Sequence, residues 1–309
     1  MQKNSLPRSA GRFLACSGLA LLLIAVSGNV LPARAQSRAI TADPAQDKSA
    51  PAAMETFQLP SHGSLLNALV YVAAGNGPHP VVILLHGFPG NEKNLDIAQT
   101  LRRAGYDVLY FDYRGSWGSP GDFSFTHCIE DTQAAIAYVR NPANARKLRA
   151  DPNFILLAGH SMGGFMARYV AAQDPEIKAT ILISAAGMAD RLGSYTPEQR
   201  RKGIPAIAKS LEAEGMAPLA GCTPTSLAEE TVAHADAWQS VALAPKFAGR
   251  PLLVITSDDG LAPSNDAFRA AIPAAGSKVT AVHFATDHSY SDHRIALQQA
   301  ILDFLAKLK

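Results

Sequence analysis

The sequence has little cysteine, no basic run, no internal repeat and no apolar stretch long enough to cross a bilayer. Its 309 residues include three cysteines. With Cys16 in the N-terminal segment, Cys128 and Cys222 remain either to bridge in an oxidising compartment or to stay as two separate buried thiols. The lack of a basic cluster, at a formal net charge of +2, argues against electrostatic binding to nucleic acid or to an anionic membrane. The N-terminal apolar run from Phe13 to Val26 is broken by Ser17 and Gly18, and it falls short of the roughly 20 residues of a membrane span.

What that N-terminus does contain is ordered like an export leader. Lys3, Arg8 and Arg12 precede the apolar run, and Ala33-Arg34-Ala35 supplies small residues for cleavage. Residues 1–35 are therefore expected to be a signal peptide, and the mature chain an exported protein, periplasmic or secreted. Removal of the leader takes away four cations and no acid, so the formal charge passes from +2 to −2. Leu14-Ala15-Cys16 stands before the apolar stretch instead of after it, which argues against lipidation, and no stable membrane association is expected after cleavage.

Residues 36–54, rich in Ala, Pro, Ser and charge, are expected to form a disordered lead-in. From residue 55 to 309 the texture is that of one large domain. Val70–Ala74 reads as an early strand. Short, continuously apolar runs follow at Val81–Leu85, Asp107–Phe111, Phe154–Ala158, Thr180–Ser184, Leu252–Thr256 and Val279–Phe284, as expected of strands buried on both faces. Helical patterns at Leu95–Ala104, Ile129–Val139, Met162–Ala172, Ser264–Ala271 and Arg294–Leu308 alternate with them. The expectation is an α/β fold: a mostly parallel sheet of about eight strands with helices on both faces. The alternation breaks at about 188–247, where helical stretches replace strands; a small helical cap is expected there.

Two motifs carry chemistry. Gly159-His160-Ser161-Met162-Gly163 directly follows an apolar run and precedes a helix, the context of a nucleophile elbow. His86-Gly87-Phe88-Pro89-Gly90 follows Val81–Leu85. An acyl-transfer site needs two N–H donors aimed at the developing oxyanion. The amides of Met162 and Phe88 are the candidates, and His86 reads as a buried, hydrogen-bonded residue that shapes its loop.

These motifs, with the loop Asp112-Tyr113-Arg114-Gly115-Ser116-Trp117-Gly118-Ser119-Pro120-Gly121, make the chain from about residue 56 onward resemble the α/β-hydrolase superfamily. In detail it is similar to small bacterial hydrolases near the prolyl-oligopeptidase and dienelactone-hydrolase branches, although the segment before the domain is too short for a β-propeller. The resemblance implies the chain order nucleophile, acid, base. Four residues before Pro263 it points to Asp259 as the acid, with Asp258 as rival. In the loop before the last helix it points to His288 as the base, with His293 as rival. The implied activity is hydrolysis of a carboxylic ester through an acyl-enzyme on Ser161, without cofactor or metal.

The expected partner is a small-molecule ester or a short peptide. A serine aminopeptidase of the same fold is the alternative, with Glu229-Glu230 as the pair that would hold a substrate ammonium. A non-catalytic binding protein on this fold is a more remote one. Trp117, Phe123 and Phe125 either line an acyl pocket or pack a long loop. His283, Asp287, His288, Asp292 and His293 lack familiar metal-ligand spacing.

Overall fold

The computed structural model describes residues 38–308, so the leader and its cleavage site lie outside the described residues. The strands are β1 (Ala53–Ser61), β2 (Ser64–Val72), β3 (His79–Leu85), β4 (Asp107–Phe111), β5 (Ala150–His160), β6 (Ala179–Ile183), β7 (Pro251–Thr256) and β8 (Lys278–His283). They form one eight-stranded sheet in the order β1-β2-β4-β3-β5-β6-β7-β8. β2 pairs antiparallel with β1 and β4, and every other neighbouring pair is parallel. The helices are α1 (Leu95–Arg103), α2 (Phe125–Arg140), α3 (Pro142–Leu148), α4 (Met162–Gln173), α5 (Pro197–Lys202), α6 (Ile204–Ala213), α7 (Pro224–Ala233), α8 (Ser240–Leu243), α9 (Ala262–Ala271) and α10 (Arg294–Leu305).

Every residue of β4 and β6 is buried, the signature of strands covered on both faces. Successive side chains of β3 then divide between two cores. Val81, Ile83 and Leu85 pack with Phe165 and Val170 of α4. Val82 and Leu84 pack with Ile97 and Leu101 of α1 and Leu297 and Ile301 of α10. The period-2 alternation of a pleated strand thus feeds helices on both sides of the sheet.

The antiparallel hairpin β1–β2 extends well beyond the expected strand at Val70–Ala74. Its turn is His62-Gly63, both at positive φ (43° and 83°), the conformation of a tight two-residue hairpin. The lead-in expected to be disordered is instead tied down over residues 38–52. Ala39 and Ala50 are buried. The Ala39 carbonyl accepts from Arg103 Nε, and the Ala50 carbonyl accepts from the Gly75 amide at 2.9 Å. Backbone groups with such partners do not stay loose, however polar the local composition.

Between β6 and β7 come α5 to α8 and two short 3-10 turns, with no strand in the stretch. Part of this cap is laced into the loop after β4. Ser116 pairs with Leu219, the Trp117 amide donates to Pro218 O at 3.0 Å, Ala220 N donates to Gly115 O at 2.7 Å, and Phe123 N donates to Ala220 O at 2.9 Å. A second tie is a side chain. The Glu230 carboxylate of α7 accepts from the first two amides of α2, Phe125 N at 3.0 Å and Thr126 N at 2.7 Å. An anion at a helix N-terminus meets both unsatisfied N–H groups and the positive end of the macrodipole. Among the described residues, no helix is long and apolar enough to cross a membrane.

Candidate active site

Ser161 stands between β5 and α4 with φ 56° and ψ −121°, a backbone state that costs a non-glycine residue about 1–3 kcal/mol. The surroundings enforce it. The Ser161 amide donates to Ile183 O at 3.0 Å, and its carbonyl accepts from Ala186 N at 2.8 Å. The flanking glycines are required by space: a Cβ on Gly159 would lie 2.0 Å from Gly163 O, and one on Gly163 would lie 2.1 Å from Leu85 O. Gly-x-Ser-x-Gly is therefore the only pattern that lets β5, α4 and the end of β3 approach this closely.

The loop after β3 presses on the serine. A Cβ on Gly87 would come 3.0 Å from Ser161 Cβ and 3.5 Å from its Oγ. Phe88, next in that loop, and Met162, first residue of α4, are the residues expected to supply oxyanion donors; the Met162 N–H is among the helix's first four, which have no intrahelical acceptor. His86 is buried and holds its loop through Nδ1, 2.8 Å from Gly87 O. Burial drives its pKa down to about 4, so the ring is neutral and its Nδ1 donates to that carbonyl.

His288 lies in the loop after β8, with Nδ1 2.7 Å from Asp259 Oδ2. Asp259 is reached from the end of β7; its side chain is 4% exposed and that of His288 40%. Burial acts to raise the Asp259 pKa, but hydrogen bonds from His288, from Ser184, from the Leu261 amide and from Ser257 hold it well below the usual carboxylate range. An ionised carboxylate only accepts, so Nδ1 of His288 carries the shared proton, and in the neutral imidazole that tautomer leaves Nε2 bare. The histidine loop is also fastened to the elbow. His160, which precedes the serine, donates from Nε2 to His288 O at 2.8 Å, and burial, with His288 nearby, lowers its pKa to about 4.

The structure thus brings Asp259 and His288 together and leaves their rivals outside. Asp258 is 64% exposed, beside His283 Nε2 at 3.1 Å. His293 sits at the N-cap of α10 and faces Asp292. No group of three metal-capable side chains occurs among the described residues. Cys128 and Cys222 are both free thiols. Phe123 and Phe125 are buried and each packs against Phe88 at a ring separation of 5.9 Å, so they back the loop after β3 and do not line an open pocket. Trp117 donates from Nε1 to Pro89 O at 2.8 Å and braces the same loop.

Both oxygens of Glu230 are engaged at the start of α2, so the side chain is neither free toward a substrate nor simply solvated. Nothing local in the sequence signals that contact. Ser184 and Ser257, which help lower the Asp259 pKa, carry no sequence signal as site residues: a lone hydroxyl at a strand end is too common to read. A hollow of about 850 Å³ lined by Arg140, Gln173 and Glu176 among others sits at the far end of α4 from Ser161.

A family model described as alpha/beta hydrolase fold matches residues 80–208. The carboxylesterase EstE1, from a metagenomic library, superposes with a TM-score of 0.62 at 24% identity, over 90% of this chain and 95% of that one. Est1E from Butyrivibrio proteoclasticus, solved with ferulic acid, gives 0.59 at 22% identity, over 81% and 98%. The chain thus has the α/β-hydrolase fold, and the family model covers residues 80–208 of it. Among curated proteins it is similar to the quorum-quenching protein AidA of Acinetobacter baumannii, 29% identical over 137 residues, which are 42% of this chain and 43% of that protein. It is also similar to the sn-1-specific diacylglycerol lipase ABHD11 of Xenopus tropicalis, 35% identical over 105 residues, 33% of this chain and 30% of that protein. The chain spans about half the length of the first curated relatives it matches.

Proposed function

We propose that this protein is a serine hydrolase that cleaves a carboxylic ester through an acyl-enzyme. The observation that carries the reading is the 2.7 Å contact of His288 Nδ1 with a buried, ionised Asp259, on a loop fastened to the residue before Ser161. In this reading His288 Nε2 takes the Ser161 proton as Oγ attacks the ester carbonyl. The amides of Phe88 and Met162 hold the negative oxygen of the tetrahedral intermediate. The proton then passes from His288 to the leaving alkoxide, and the acyl group stays on Ser161. A water, deprotonated by the same nitrogen, attacks the acyl-enzyme and releases acid and free serine.

An ester is favoured over a peptide because Glu230, the stronger candidate for holding a substrate ammonium, is occupied by the amides of α2. The carboxylesterase structures that share the fold agree with this choice. The test is kcat/KM of the full chain on aryl esters of increasing acyl length, beside aminoacyl and prolyl anilides, with Ser161→Ala as the blank. Ester turnover that disappears in the variant is expected, and the optimum acyl length measures the pocket. Ester turnover that survives in Ser161→Ala, or anilide turnover that exceeds it, would overturn the reading.

A further inference from the structure

Three buried hydroxyls adjoin the Asp259–His288 pair, and the mechanism above does not use them. Ser184 follows β6, Ser257 follows β7, and Tyr290 lies two residues beyond His288; their relative exposures are 0%, 1% and 0%. Ser184 Oγ is 2.9 Å from Tyr290 Oη and 3.1 Å from Ser257 Oγ. Both serines lie close enough to the Asp259 carboxylate to help hold its pKa down.

The donor directions follow from chemistry. The carboxylate can only accept, so Ser184 directs its one proton to the Asp259 side, at the carboxylate or at Ser257 Oγ. Ser184 Oγ then has no proton left for Tyr290 and must accept from the phenol. The resulting relay runs from Tyr290 through Ser184 toward Asp259, a chain in which each donor polarises the next. Two of its members, Ser184 and Tyr290, have positive φ, 42° and 57°, uncommon for residues with side chains and kept only where the surroundings over-determine them.

We propose that Tyr290, acting through Ser184, and Ser257 are positioning residues that fix the Asp259 carboxylate so that Oδ2 is presented to His288 Nδ1. The inference rests on the reading of Asp259 and His288 as the catalytic acid and base. It adds that one loop carries both the base and the anchor of its acid, so the two cannot drift apart independently.

Tyr290→Phe removes the phenol oxygen and keeps the ring, which sits edge-on to Phe284 at 6.1 Å. Its kcat on an aryl ester should fall about three- to tenfold, the effect of one neutral hydrogen bond, with KM unchanged. The acid limb of the kcat/KM profile should move to higher pH, because a carboxylate with fewer donors draws the imidazolium proton more strongly. Ser257→Ala should do the same, and it serves as the test variant if Tyr290→Phe does not fold. In an Asp259→Asn background the effect of Tyr290→Phe should vanish, since no carboxylate is left to orient. An equal loss in both backgrounds, or an unmoved acid limb, overturns the proposal while the catalytic pair stands. Full activity in Asp259→Asn alone removes the pair, and the proposal with it.

Discussion

Replacing Asp259 by Asn gives the largest effect the site geometry predicts for a change of one atom. The amide matches the carboxylate in size, yet it brings no negative charge to His288 and can turn an NH2 toward Nδ1. The imidazole is then driven to the tautomer protonated on Nε2, the nitrogen that must be bare to take the Ser161 proton. At the 2.7 Å separation, two unit charges in an effective dielectric of about 20 interact by about 6 kcal/mol. The ring is 40% exposed and the transition-state charge is incomplete, so about 4–5 kcal/mol remains, or three to four decades in rate. The assay is kcat/KM on an aryl ester between pH 6 and 9, with Asp258→Asn as the matched control. The exposed Asp258 should keep activity within about twofold, as substitutions outside the reacting groups usually do. Retention of a tenth of the activity by Asp259→Asn, or an equal loss in Asp258→Asn, would refute the reasoning.

Two further outcomes follow from carboxylates away from the serine. Asp107 at the start of β4 is fully buried, and burial lifts its pKa from 3.8 to about 8, against the Ala73 amide and Arg149, which lower it. The folded state therefore holds a proton that the unfolded chain releases. This contribution to stability is complete below pH 4 and is lost as pH rises toward 8, at up to about 1.4 kcal/mol per pH unit. Asp107→Asn abolishes that slope, so in urea unfolding at pH 5, 6.5 and 8 the variant should gain on its parent as pH rises; a constant gap sinks the idea. Glu230→Ala removes two charge-assisted bonds at the head of α2 and should cost about 2 kcal/mol of unfolding free energy. It should not selectively impair aminoacyl substrates relative to esters, and a selective loss would restore Glu230 as an ammonium holder.

The parts of the molecule legible in the sequence are those whose cause is local. Val81–Leu85 and the Ile181–Ile183 centre of Thr180–Ser184 read as strands because burial on both faces selects continuous apolar residues. The elbow reads because only glycine fits beside Ser161. The β1 strand at Ala53–Ser61 escaped notice because it is half-exposed, and its alternation of polar and apolar residues passes for loop. Residues 38–52 looked loose because their anchors are backbone carbonyls, which leave no mark on composition. Glu230 illustrates the other limit: its partners are about a hundred residues away in the chain, joined only when the fold closes. The preference for Asp259 over Asp258 came from its spacing to Pro263. The difference the structure reveals between them is burial, which no one-residue shift in sequence can express.

The lacing of residues 216–222 into the loop after β4 bears on how this protein can change. That seam divides the helical stretch into two panels, one on either side of a stitched backbone line that also steadies Trp117 and the loop beside the serine. Exposed positions of α6 and α7 can be changed panel by panel, while Ile207 and Leu211 pack against the core and tie their panel to it. A transplant of the whole stretch would cut the stitching and unsettle the loop beside Ser161 with it. The seam is accordingly the boundary that changes in either panel must respect if the loop beside Ser161 is to keep its place.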